Sequence, residues 1–157
     1  MGITKDQVMP LLLEAAPGFD PAWRKHLAWW GGKERGAYND VAEFAHYVVE
    51  SYAASETAEF EAVFATVERV VREGDTQARD LATIGLLEGI QTIASHHPFG
   101  ASVFAKWLGP LSGQAWQEIE QLWRAGGGSL AGVVRLENRL SARRARRWWQ
   151  FWKGRAV

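Results

Sequence analysis

Apolar residues recur at intervals of three and four along most of this chain, and that period limits the fold more than any other feature. Val41, Phe44, Ala45, Val48 and Tyr52 fall on one face of a helix. Phe60, Val63, Phe64, Val67 and Val71 repeat the pattern, and so do Leu81, Ile84, Leu87, Ile90 and Ala94. Nowhere does an alternating run bounded by turns compete, so no strand is expected. The period predicts an all-α chain.

Punctuation divides it into eight helices. Thr4 with Gln7 forms a capping box that opens the first, which stops before Pro17. Asp20 is expected as the N-cap of a second, with Pro21 at its first position and Gly31–Gly32 at its end. A third runs from about Tyr38 to Ala53, and a fourth from about Thr57 to Glu73. Gly74 is expected to stop the fourth in the left-handed conformation. Asp75 or Thr76 caps the fifth, and "HHPFG" ends it. A short helix, "ASVFAKWL", and a seventh capped by Ser112 follow. Gly126–Gly127–Gly128 leads to a last helix capped by Ser129. The expected organisation is an acidic helical body over 1–125, a Gly-rich linker over 126–129 and a basic helix over 130–157. Tight loops favour a compact multi-helix bundle of antiparallel neighbours. Hairpins spaced about twenty residues apart leave a helical-repeat stack as the alternative.

Charge separates the two parts. Before residue 135 there are ten Lys/Arg against seventeen acids; from there on there are eight against one. A body of net charge −7 thus carries a tail of +7, a split that points to interaction surfaces or to mutual neutralisation. The tail is a basic amphipathic helix. Val133, Leu136, Leu140, Trp148, Phe151 and Trp152 share one side, and Arg135, Arg139, Arg143 and Arg146 lie opposite. Arg144 and Arg147 sit at the apolar edge, and Trp149 extends the aromatic run. Such a helix suits an anionic membrane surface, a nucleic-acid backbone with unpaired bases or a partner protein. It also suits packing on this body or on a second copy of the chain, as a homodimer.

Catalytic signals are few. The chain has no cysteine, which rules out thiolate chemistry and cysteine-ligated metals. It carries no phosphate-binding glycine loop, serine elbow or zinc-protease motif. Glu43-x-x-His46 has the spacing of a di-iron ligand pair, but its only later echo, Glu88-x-x-Gln91, lacks the histidine, so no metal or other cofactor is expected. His26 is expected to be exposed, and His96–His97 to cap a helix end. Glu88, among apolar residues, must find a structural hydrogen bond if buried. Gly85 and Gly89 are expected to let another helix approach closely. The reading is a non-enzyme. No run of apolar residues is long enough for a transmembrane helix, and no signal peptide stands out, so a cytoplasmic protein is expected.

"YNDVAEFAHYVVE", "VFATVERVVREGD", "GLLEGIQTIASH" and "WLGPLS" resemble a family of short, uncharacterised, all-helical bacterial proteins. That family is similar to the immunity proteins that accompany polymorphic toxins. The resemblance covers about residues 3–125 and brings no catalytic residues with it. It implies a protein that neutralises a cognate toxin by occlusion, and a basic toxin would suit the acidic body. Candidate contacts are the acids Asp40, Glu43, Glu56, Glu59 and Glu61, taken as exposed. The alternative is an adaptor held to a membrane surface or nucleic acid by its tail, through Arg139, Arg143, Arg146, Arg147, Trp148, Trp149 and Trp152.

Overall fold

A computed structural model describes residues 2–126, and among these the fold is compact and all-α, with seven α-helices and no strand. The helices are α1 (Lys5–Ala15), α2 (Asp20–Trp30), α3 (Ala37–Ala53), α4 (Phe60–Glu73), α5 (Thr76–Asp80), α6 (Glu88–Ala94) and α7 (Pro110–Gly126). A π-helical turn, Leu81–Leu87, joins α5 to α6, and short 3₁₀ segments cover Pro17–Phe19 and Ser102–Trp107. The expected basic helix over 130–157, with its arginines and tryptophans, lies outside the described residues. Contacts group residues 1–113 in one unit and place Gln114 onward in a second.

In the first unit α3 is central. It touches α1, α2, the π turn and α6, while α1 also reaches α4 and α5. Contacts between first and fifth helices belong to a bundle around a shared core, not to a stack whose units touch only their neighbours. Gly85 faces Tyr38 and Val41 near the start of α3, and His97 faces Glu50 near its end, so α3 and α6 run in the same direction. A methyl group on Gly85 would press on Val41 at 2.9 Å, which is why a glycine stands there. Phe19, Phe44, Phe60, Phe64 and Phe104 fill the interior with Leu12, Leu86 and Ile90. Each such side chain contributes about 1.5–3 kcal/mol by leaving water.

Several local expectations need correction. Asp20 has helical torsions and already belongs to α2, because the 3₁₀ turn feeds straight into it. Gly74 is extended (φ −73°, ψ 152°) rather than left-handed. It pairs with Ile3 in a parallel bridge, in which Ile3 N–H donates to Glu73 O (3.0 Å) and Asp75 N–H to Ile3 O (2.8 Å). Asp75 does cap α5, accepting from Ala78 N–H at 2.8 Å. The π turn shifts the helical phase, so Ala82, Gly85 and Leu86 are buried while Ile84 is only half-buried.

Ser112 is not the sole cap of α7. Glu68, from the middle of α4, accepts from Leu111 N–H (2.9 Å), Ser112 N–H (2.8 Å) and the Ser112 hydroxyl (2.7 Å). Burial raises the carboxyl's pKa, but these donors outweigh it and hold the group below the usual range. A side chain at Gly109 would collide with that carboxylate. In the second unit Trp116 and Ile119 are buried, and Trp116 Nε1 donates to Glu120 at 3.1 Å.

Candidate functional site

From Gly36 to Glu68 the sequence carries seven acids and no lysine or arginine. The fold turns this span into α3, its following loop and the first half of α4. Glu43, Tyr47 and Glu50 take successive turns on one face of α3. Glu56 is exposed in the loop, and Glu61 is exposed in the first turn of α4. Glu59, just before α4, accepts from the Tyr47 hydroxyl at 2.5 Å and from Gly18 N–H at 3.0 Å. Burial, then the Glu59 hydrogen bond and charge, push the Tyr47 hydroxyl up to about 12, so it stays a donor at neutral pH. Glu56 adds to that shift, which puts its charge in the same neighbourhood.

Of the five acids read from the sequence, Glu56 and Glu61 lie open to solvent, and Glu43 and Glu59 are half-buried. Asp40 is not an exposed contact. It is buried, and its Oδ1 accepts from His26 Nε2 at 2.8 Å and from Arg35 Nε at 3.1 Å. His26 is buried too, against expectation. The Trp23 ring stacks on the imidazole at 5.6 Å, and the Arg35 guanidinium lies 5.4 Å over that same indole. His26, Arg35 and Asp40 thus tie α2, its following loop and α3 together. Sequence reasoning missed Glu50, whose side chain is 68% exposed and whose carboxylate lies 4.0 Å from His97. The missing lysines and arginines between 36 and 68 were the signal that could have found it.

Glu88 corrects another expectation. It is 1% exposed, and neither carboxylate oxygen has a hydrogen-bond partner among the described residues. Burial pushes its pKa up to about 8, so the group is neutral at physiological pH. Among the described residues the expected structural hydrogen bond is not formed. Among the described residues no three His, Asp or Glu side chains assemble into a metal site, and no helix is long and apolar enough to cross a membrane.

Residues 9–124 match the family described as Domain of unknown function (DUF7674), and the chain belongs to that family. No curated protein and no solved structure matches the chain.

Proposed function

We propose that this member of the DUF7674 family is a non-catalytic protein-binding module. In this reading it is an immunity-like protein that neutralises a basic bacterial toxin in the cytoplasm by covering it. One observation carries the reading: the span from Gly36 to Glu68 holds seven acids and no lysine or arginine, and Glu56 and Glu59 lie beside Tyr47 of α3, whose helical turns on either side carry Glu43 and Glu50. One sign of charge over such a span raises encounter rates with a cationic partner. Glu59 is already fixed by Tyr47 and Gly18, so part of the face is ordered before a partner arrives. Burial of Asp40 moves the centre of the surface toward the α3–α4 loop.

The test begins with the tagged full-length chain and the basic protein it retains in its native host. That partner is titrated against wild type and against Glu56→Lys/Glu61→Lys. The reversal is expected to weaken binding about a hundredfold, mostly through slower association, and the wild-type on-rate is expected to fall with salt. Unchanged affinity in the double variant would remove the surface assignment. If the full-length chain retains only anionic vesicles or nucleic acid, and loses them on deletion of 129–157, the adaptor reading through Arg139, Arg143, Arg146, Arg147, Trp148, Trp149 and Trp152 replaces it.

A further inference from the structure

A cleft of about 600 Å³ opens at the C-terminal end of α3. Its walls are aromatic: Tyr52 from the last turn of α3, Phe99 from the loop after α6, and Trp107 from the 3₁₀ segment. Tyr52 and Phe99 approach to 4.7 Å between ring centres, and Phe99 stacks on His97 at 4.9 Å. Behind them stands a rigid layer. Trp107 packs at 4.9 Å on Phe60, and fully buried Phe104 lies 5.2 Å from Tyr52. These walls need little rearrangement to receive a ring.

The polar groups in the cleft are mostly donors. Lys106 is exposed, and its ammonium lies 4.3 Å above the Trp107 ring. Among the described residues Lys106 makes no ion pair. The ring's negative face holds the charge beside the wall without neutralising it. His97 adds a second nitrogen, and its 4.0 Å distance to Glu50 is too long for a hydrogen bond. The Thr57 hydroxyl faces the same space. Ser55, at the rim, holds a left-handed backbone (φ 60°) because it ends α3: Ser55 N–H donates to Tyr52 O at 3.0 Å and Glu56 N–H to Ser51 O at 2.8 Å. The volume lies within the range of small-molecule sites.

We propose that this cleft binds a small planar aromatic carboxylate. Its ring packs against Phe99 and Trp107, and its charge sits on Lys106. The cleft borders the acidic residues, for Glu50 lies 4.0 Å from His97 and Glu56 stands between Ser55 and Thr57, so Lys106 must hold the carboxylate against their charge; the binding tested does not depend on the toxin reading.

The experiment is calorimetric titration of the full-length chain with naphthalene-2-carboxylate and with its neutral analogue, 2-naphthamide. The carboxylate is expected to bind at a single site about tenfold tighter than the amide, the scale of one charge-assisted contact. Lys106→Gln brings the carboxylate down to the amide's affinity and leaves the amide unchanged. Phe99→Leu weakens both probes together. The arginine-rich C-terminal stretch offers cations of its own, and these two substitutions separate it from the cleft. Carboxylate binding that survives Lys106→Gln, equal affinity for the two probes, or no saturation at millimolar probe overturns the proposal.

Discussion

Glu68 and Glu88 lie twenty residues apart in the same bundle, and their surroundings hold them in opposite states. Glu68 meets three donors at the start of α7 and stays ionised below the usual carboxylate range. Glu88 is buried and meets no donor among the described residues, and its carboxyl's pKa is pushed up to about 8. Both feel desolvation, which raises a carboxyl's pKa. The difference lies in what replaces water. A helix start presents N–H groups that no backbone carbonyl of its own helix satisfies, whereas the middle of a helix has none to spare.

The sharpest way to break this comparison is pH. Glu88 has a folded pKa raised above that of the unfolded chain. Its contribution is therefore complete below the unfolded value near 4.5 and is lost as pH rises to about 8. Wild type is expected to lose roughly 3–5 kcal/mol across that window relative to Glu88→Gln. Urea unfolding of both proteins at a series of pH values measures it. Parallel curves would mean that Glu88 is ionised inside the fold.

Glu68 should behave in the opposite sense. Its depressed pKa gives stability that is present above the unfolded value and fades as pH falls through the folded one. Glu68→Ala is expected to cost about 2 kcal/mol at neutral pH, less than a fully buried carboxylate with these donors because solvent still reaches it. Gly109→Ala, which displaces the same carboxylate, should cost about 1.5 kcal/mol alone and much less in the Glu68→Ala background. Additive costs in that cycle would show that Gly109 matters for another reason.

Tyr47 with Glu59 is the intermediate case, a half-buried carboxylate sharing one hydroxyl and one backbone donor. Tyr47→Phe is expected to cost about 1 kcal/mol, the smallest of these effects, read as a drop in unfolding midpoint. A loss as large as that for Glu68→Ala would place the Tyr47 bond, rather than Gly18 N–H, at the centre of that contact.

The three carboxylates also show how far the sequence could be read. The period of three and four located α3, α4 and the Thr76–Ala94 helix because it records burial within one element. Asp75 was legible as a cap because its partner, Ala78, is three residues away. Ser112 was legible as a residue at the start of α7, but Glu68 was not, because it lies forty-four residues from Ser112. Gly74 was misread since its conformation answers to Ile3, four helices earlier in the chain. Asp40 and His26 were taken for exposed groups, and each is buried by the other's partnership. The cleft at Tyr52 assembles three separate segments and has no signature in any one of them.

The acidic face has a consequence for the free protein. Glu56 and Glu59 carry like charges beside Tyr47 and repel one another, and no lysine or arginine between residues 36 and 68 offsets them. The connection from α3 to α4 therefore works against its own field. Added salt relaxes that field by screening, so the free protein is expected to grow firmer as ionic strength rises.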